Sequence, residues 1–326
     1  MIINGKVLDM SRTHVMGILN VTPDSFSDGG SYCDLDSALA HAEKMVHDGA
    51  AVIDIGGEST RPGHQQISEA EEIERVCQVI EAIKKRIDIP ISIDTYKAPV
   101  AKAALEAGAD VVNDIWGLQY ERYCVDETES SDETKSSDDT DLAVKSSDIC
   151  AMAKVVKEFD VPIILMHNDC LGRSLEDRNK ETVTRFIRAN NQYSSIKLMR
   201  SVKESNIVER VVGGLAHSIE IAAKAGIDRD KLILDPGVGF AKTQNENLMV
   251  LNRLREIKKG LGLPMLLAAS RKSVIGNVLD LAPEDREEGT LVTTILAAES
   301  GYSFVRVHDV EKSVRAIKML EAIMQK

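Results

Sequence analysis

The chain of 326 residues is 43% hydrophobic and 28% charged, and its formal net charge is −12. These values are typical of an α/β protein with an aliphatic core, and the acidic balance argues against a nucleic-acid partner, because binding to phosphates requires clustered Lys and Arg. No apolar run is as long as a membrane span and the N-terminus does not resemble a signal peptide, so we expect a cytoplasmic protein with no membrane partner. The five cysteines include no C-x-x-C pair, which favours reduced thiols over disulfides or a zinc site.

In chain order, a short hairpin precedes eight alternating strands and helices. Asn4-Gly5 between short apolar segments predicts the hairpin, within residues 1–10. The predicted strands are residues 14–19, 51–55, 90–93, 111–114, 162–166, 231–234, 264–269 and 304–307. The predicted helices include residues 38–46, 73–83, 100–107, 248–257 and 314–324. Near-continuous apolar strands are typical of a parallel sheet buried on both faces, so the chain is predicted to form one (β/α)8 TIM barrel over residues 1–326, with the hairpin across its bottom.

Two segments interrupt this alternation and are predicted to be insertions. Residues 119–148 are rich in Ser and acidic residues, and 126–148 alone contribute −7 of the net charge. Such a composition cannot bury enough apolar area to offset chain entropy, so we expect this insertion to be mobile. Residues 169–205 are charged but carry apolar residues at helical spacing, which predicts a helical insertion.

The candidate site residues follow the predicted strands, and the carboxyl ends of the strands of a TIM barrel converge on the face that carries active sites. After the first strand, Asn20 opens a run of small polar residues in which Phe26 is the one large apolar side chain. This composition is typical of a loop that closes over a ligand.

Two chemically different groups of side chains are expected at this face. Asp94, Asn113 and Asp235 offer acceptors and an amide, which suit the ring N–H and amino groups of a heterocycle such as a pterin. The alternative for each aspartate is a helix N-cap or a surface carboxylate. The cationic set consists of Arg61, Lys272, Arg306 and His308. It suits a phosphate or diphosphate, and its alternative is a set of surface salt bridges.

The segment 235–243 contains glycines and a lysine but lacks the spacing of a phosphate-binding P-loop. Its glycines allow the backbone to approach a flat ring, for which Phe240 would form an apolar wall. Ser273 lies at a predicted helix start, where a carboxylate could bind.

Seven segments in this order resemble the signatures of the dihydropteroate synthases, the folate-pathway enzymes that sulfonamides inhibit. The segments are 20–30 (NVTPDSFSDGG), 54–63 (DIGGESTRPG), 93–97 (IDTYK), 112–115 (VNDI), 233–240 (ILDPGVGF), 270–273 (SRKS) and 306–309 (RVHD). The resemblance implies the condensation of 6-hydroxymethyl-7,8-dihydropterin diphosphate with p-aminobenzoate, which gives 7,8-dihydropteroate and diphosphate. It also implies a Mg²⁺ cofactor and a homodimer.

Matched motif by motif, the resemblance also assigns roles to individual residues. Pterin would be bound by Asp94, Asn113, Asp235 and Lys272, and diphosphate by Asn20, Thr60, Arg61, Arg306 and His308. Phe26, Pro62, Phe240 and Ser273 would form the p-aminobenzoate pocket, and Asn20 would also bind Mg²⁺. The residues that would act in catalysis are Asp28, Lys272, Arg306 and His308.

Two other functions remain open from the sequence. A methyltransferase that passes a methyl group from a folate to a corrinoid would share the Asp and Asn pocket without needing Arg61, Arg306 and His308. A barrel that binds pterin without catalysis is the second alternative, although all the anion-site residues are present. Fold alone does not discriminate between them.

Overall fold

The computed structural model describes residues 1–21, 31–58, 66–121, 150–169 and 207–325, and for 31–34 the backbone alone. Two short strands, β1 (Ile2–Ile3) and β2 (Lys6–Val7), pair as the predicted antiparallel hairpin. The main sheet has eight parallel strands in the order β8-β7-β6-β5-β4-β3-β10-β9. These are β3 (His14–Asn20), β4 (Val52–Gly56), β5 (Ile91–Asp94), β6 (Val111–Asp114), β7 (Ile163–Met166), β8 (Leu232–Asp235), β9 (Leu266–Leu267) and β10 (Phe304–Val307).

The sheet closes on itself between β8 and the residues that precede β9. Leu234 and Met265 form a parallel bridge, and the Leu234 N–H donates to the Pro264 carbonyl at 3.0 Å. The predicted (β/α)8 barrel is thereby confirmed, although β9 covers two residues of the predicted 264–269. β9 is short because its pairing with β10 involves two residues and its pairing with β8 is reduced to this bridge.

Helices cover the outside of the barrel. They are α1 (Ser31–His47), α2 (Glu69–Arg86), α3 (Ala98–Glu106), α4 (Ala151–Phe159), α5 (Ile207–Lys224), α6 (Gln244–Asn252), α7 (Leu254–Leu261), α8 (Ser273–Leu279), α9 (Glu287–Glu299) and α10 (Val310–Met324). The helix predicted over 248–257 is two helices, because Arg253 leaves the helical conformation with φ −112° and ψ 19°. None of the helices in the described part of the chain combines the length and apolar character needed to cross a membrane.

Apolar side chains form two separate cores. The larger core lies between the sheet and the helices. Every residue of the strands β5 to β8 is buried. The smaller core includes Ile3 of the hairpin together with Val52, Val111 and Phe304, which begin their strands, and Met16. The hairpin therefore packs against the amino ends of the strands, which is the bottom of the barrel, as predicted.

The two predicted insertions, 119–148 and 169–205, fall almost entirely outside the described residues. Their predicted mobility and helicity stay predictions. Cys77 and Cys150, which lie in the described part, are not in disulfides.

Candidate active site

The carboxyl ends of the parallel strands bring the predicted polar residues to one mouth of the barrel. Asp94 and Asn113 are register partners at the ends of β5 and β6, and Asn20 pairs with Gly56 at the ends of β3 and β4. The mouth residues from this set that the structure describes are Asn20, Asp94, Asn113, Asp235, Lys272, Arg306 and His308. The structure places them at or beyond the carboxyl ends of their strands, on the same side of the barrel, and the roles assigned to them stay predictions.

Arg306 is the centre of a buried ion-pair network. Its Nε donates to Asp54 Oδ2 at 2.5 Å and its Nη2 donates to Asp94 Oδ2 at 2.6 Å. Asn113 Nδ2 donates to the same Asp54 oxygen at 3.1 Å. Although burial opposes it, the two carboxylates raise the pKa of Arg306 above its usual range. The cation expected in an anion pocket therefore also holds the carboxylates expected in a heterocycle pocket.

Asp54 is a site residue that sequence reasoning missed. It is fully buried in β4, among Ile53 and Ile55, and it belongs to the second signature without having been given a role. A charged residue in the middle of an otherwise apolar buried strand is the signal that could have identified it, because a buried carboxylate needs a partner. That partner is Arg306.

Within the described ranges, Asp54 and Asp94 each have one carboxylate oxygen that no protein donor satisfies. Asp54 Oδ1 and Asp94 Oδ1 are buried and have no hydrogen-bond partner in the described part of the structure. Burial raises the pKa of Asp94, with Arg306 opposing and Asp54 adding to the shift. Since buried polar atoms are normally satisfied, these two oxygens mark a place where a donor-bearing ligand fits.

Asp235 and Lys272 form the opposite wall of the mouth. Asp235 Oδ1 accepts from the Gly237 N–H at 2.8 Å, and Lys272 Nζ donates to the Val238 carbonyl at 2.6 Å. Burial raises the pKa of Asp235, and Lys272 partly offsets the shift. Burial lowers the pKa of Lys272 to about 8 against the opposing effect of Asp235. The lysine ammonium also lies 4.6 Å from the centre of the Phe240 ring, which fixes that ring beside the pocket.

The remaining described candidates lie around this centre. The His308 ring places Nδ1 2.9 Å from the Ser270 hydroxyl, which also accepts from the His308 backbone N–H at 3.3 Å. Ser273 is exposed and is the first residue of α8, as predicted, and Lys272 is its N-cap. Five candidates lie outside the described residues: Phe26, Asp28, Thr60, Arg61 and Pro62.

A second polar cluster, also without a predicted role, ties the ends of β4 and β5 to the chain before α2. Glu58 accepts from Tyr96 Oη at 2.9 Å, from Lys97 Nζ at 2.6 Å and from the Ile67 N–H at 3.1 Å. Lys97 also donates to the Ile67 carbonyl and pairs with Glu72. Burial raises the pKa of Glu58, but hydrogen bonds from Lys97 and Ile67 outweigh it and lower the pKa. The cluster fixes both ends of the segment 58–67, which contains three of the predicted site residues.

Among the described residues, the resemblance assigns the Asn20 amide oxygen to a metal ion, and the structure shows no closed ligand set around it. Within the described ranges no group of three or more His, Cys, Asp or Glu side chains could hold a metal. The Asn20 amide lies at the mouth, with Oδ1 beside Gly56. Mg²⁺ in phosphate sites is commonly bound by one or two protein oxygens plus substrate phosphates and water, so this donor set is compatible with it.

Comparison with known proteins agrees with this geometry. A family model described as pterin binding enzyme matches residues 16–308. The dihydropteroate synthase of Bacillus subtilis is 45% identical over 97% of this chain and 90% of its own length. A dihydropteroate synthase from Clostridium difficile, solved in the presence of pteroic acid, has 41% identity and a TM-score of 0.74 over 97% of this chain and 98% of that one.

A Yersinia pestis dihydropteroate synthase, solved as a complex with a sulfonamide drug, has 35% identity and a TM-score of 0.75 over 100% of this chain and 98% of that one. Each of these relatives is more than 30% identical to this chain over nearly the whole length of both proteins. The chain therefore belongs to the dihydropteroate synthase family of pterin-binding enzymes.

Proposed function

We propose that this chain condenses 6-hydroxymethyl-7,8-dihydropterin diphosphate with p-aminobenzoate and releases 7,8-dihydropteroate and diphosphate. The observation that carries this proposal is the pair of buried carboxylate oxygens of Asp54 and Asp94, which have no hydrogen-bond partner among the described residues and lie at the mouth of a barrel of this family. Adjacent N–H and amino groups on the edge of a pterin would satisfy both oxygens.

The pterin pocket would be formed by Asp94, Asn113, Asp235 and Lys272, with Asp54 added from the structure. Asn113 and Arg306 orient the Asp54 carboxylate through Oδ2, so that its other oxygen remains for the ligand. Acceptors that are already oriented need little reorganisation when the ring binds, which favours affinity and a fixed orientation of the ring.

The diphosphate would be bound by Arg306 and His308, by Asn20, and by Thr60 and Arg61 outside the described residues. When bound, Mg²⁺ held by the Asn20 amide oxygen would neutralise negative charge on the leaving oxygens. Lys272 and Arg306 add fixed positive charge beside the same mouth, where little reorganisation is needed as the bond to the diphosphate breaks.

The chemistry proposed for this site is loss of diphosphate from the pterin methylene carbon and attack by the aromatic amine. The electron-rich pterin can carry the developing positive charge, and Asp28 would assist from the loop after β3. The p-aminobenzoate pocket would be formed by Phe240 and Ser273, together with Phe26 and Pro62. The amine attacks in its neutral form, and the protonated secondary amine that results gives its extra proton to solvent or to the released diphosphate. No residue has to act as its base, so the reaction depends mainly on stabilising the leaving group.

A diphosphate-release assay tests the function against its two alternatives. Purified protein is supplied with the pterin diphosphate, with or without p-aminobenzoate, and both diphosphate and dihydropteroate are measured. The proposal expects both products in equal amounts and dependent on p-aminobenzoate, and much less product from Asp94→Asn. Binding of pterin without turnover would support the non-catalytic barrel, and methyl transfer from a folate to a corrinoid would support the methyltransferase.

We also propose that the chain acts as a cytoplasmic homodimer. Val292 and Leu296 on α9, and Met319 and Ile323 on α10, are large apolar side chains with exposed fractions of 61%, 39%, 62% and 65%. The two helices pack against each other, so these residues can form one apolar face. Light scattering should give twice the chain mass for the native protein and the single-chain mass for Val292→Lys with Met319→Lys. A monomeric native protein would rule out the dimer.

A further inference from the structure

The loop that follows β8, residues 236–243, is held in place by a lysine to which no role in the reaction has been assigned. Lys242 Nζ lies 2.9 Å from the Gly237 carbonyl oxygen and 3.2 Å from each of the Phe240 and His167 carbonyl oxygens. An ammonium group has three N–H donors, so these three acceptors can use all of them. One side chain thus connects the end of β7 to both halves of the loop.

The loop is pressed closely against the end of β7. A Cβ atom on Gly237 would lie 2.0 Å from the His167 carbonyl oxygen, and Gly237 has a φ of +67°, so glycine is required there. The His167 N–H donates to the Asp235 carbonyl at 2.9 Å. The three carbonyl oxygens converge on Lys242 Nζ, whose N–H groups satisfy them, and burial lowers the pKa of this amine to about 7.

The same loop carries two walls of the proposed substrate pockets. Asp235 precedes it and accepts from its Gly237 N–H, and Phe240 lies within it under Lys272. On the far side, Asn247 accepts from the Gly239 N–H at 2.7 Å. Movement of the loop would therefore displace Asp235, assigned to pterin, and Phe240, assigned to p-aminobenzoate, together.

We propose that Lys242 is a positioning residue, whose hydrogen bonds to three backbone carbonyls set the conformation of the 236–243 loop and so the placement of Asp235 and Phe240 at the substrates. The inference rests on the proposed function for the roles of those two residues. Lys242 itself would contact neither substrate. Its effect is on substrate affinity, because Asp235 and Phe240 are assigned to substrate binding and a binding group that is not held in its bound position must be reordered at a cost in affinity.

The test compares Lys242→Ala with Lys231→Ala. Lys231 is a suitable control because it also donates to a backbone carbonyl, that of Asp160, but at the opposite end of β8. We expect Lys242→Ala to raise the KM for both substrates and the Kd for pterin about tenfold or more, with a smaller change in kcat. Lys231→Ala should leave all of these unchanged.

Chemical rescue distinguishes positioning from a general loss of folding. n-Propylammonium replaces the atoms deleted in Lys242→Ala and restores three N–H donors, so it should recover much of the lost affinity. Tetramethylammonium has the charge but no N–H donor and should not. If Lys242→Ala fails to fold, Lys242→Gln is used instead, because glutamine keeps two N–H donors without the charge. It is expected to raise KM in the same direction but by a smaller factor.

Substrate affinities within twofold of the native values in folded Lys242→Ala or Lys242→Gln would overturn the proposal. The same conclusion follows if thermal stability falls while KM and Kd are unchanged, because the lysine would then be purely structural. Failure of the proposed function would look different. In that case the native protein and Lys231→Ala would also release no diphosphate.

Discussion

The replacement Asp54→Asn tests the buried network on which the proposed pterin pocket depends. Asparagine keeps the shape of the side chain and removes its charge. In the structure Asp54 Oδ2 accepts from Arg306 Nε at 2.5 Å and from Asn113 Nδ2 at 3.1 Å. Arg306 retains its bond to Asp94, so the guanidinium is not left alone by the change.

The expected size of the effect follows from these contacts. A hydrogen bond to a charged group contributes about 1.5–3 kcal/mol and one between neutral groups about 0.5–1.5 kcal/mol. Replacing the Arg306–Asp54 ion pair by a neutral acceptor should therefore lower the free energy of unfolding by about 1–2 kcal/mol. In an Arg306→Met background Asp54 is a buried carboxylate without its partner, so the same Asp54→Asn change should be neutral or stabilising.

The assay is a double-mutant cycle measured by urea denaturation. The four proteins must show the same m-value, the slope of the unfolding free energy against urea concentration. The coupling energy should be at least about 1 kcal/mol, beyond the ~0.5 kcal/mol typical of independent sites. Asp88→Asn is the control, because Asp88 is 81% exposed where it pairs with Lys6, and such surface pairs contribute little. An equal loss of stability in both backgrounds would refute the reasoning.

Four further outcomes are expected. Arg306→Ala, His308→Ala and removal of divalent metal should each weaken binding of the pterin diphosphate in titration calorimetry, and unchanged binding in all three would contradict the anion site. p-Aminobenzoate should bind appreciably only after pterin and diphosphate, and tight equilibrium binding of p-aminobenzoate to the free enzyme would exclude this binding order. Phe26→Ala should reduce the affinity for p-aminobenzoate and sulfonamides far more than the affinity for pterin. Replacing 126–148 by a short Gly-Ser linker should preserve turnover and Tm, and a large loss of either would show that the segment contributes to the fold or the site. Since the pKa of Lys272 is lowered to about 8, affinity for the diphosphate substrate should fall as the pH rises through that value. The free energy of unfolding should rise over the same range, because the unfolded chain keeps the lysine proton that the folded chain loses. Lys272→Met should remove both trends, and their persistence would assign them to other groups.

The fold was predictable because the strands of a parallel barrel are buried on both faces and therefore appear as short apolar runs. β5 to β8 are such runs, and each lies within one residue of its predicted position. β9 was not predicted well, since Leu263 to Ala269 are all apolar but the barrel closes through one bridge at Met265. Hydrophobicity reports burial, and it does not report which buried residues complete a hydrogen-bonded ladder.

The convergence of polar residues at the mouth followed from the fold, but their pairing did not. Arg306 is separated from Asp54 by 252 positions and from Asp94 by 212. Local spacing places a cation near the carboxyl end of β10, yet it contains no information on which carboxylate will neutralise it. The Lys242 contacts were equally hidden, because their acceptors are backbone carbonyls and carry no sequence signature.

The network also changes how the two predicted pockets relate to each other. From sequence they were an acceptor pocket and a cation pocket, but Arg306 belongs to both, because one guanidinium holds Asp54 and Asp94 at the place where the diphosphate would bind. A substitution of Arg306 would therefore remove the proposed phosphate contact and also release two buried carboxylates. His308 is bonded to Ser270 instead, so its replacement leaves the carboxylates in place. The difference between the two variants in pterin affinity then measures how strongly the heterocycle and anion sites are coupled through this arginine.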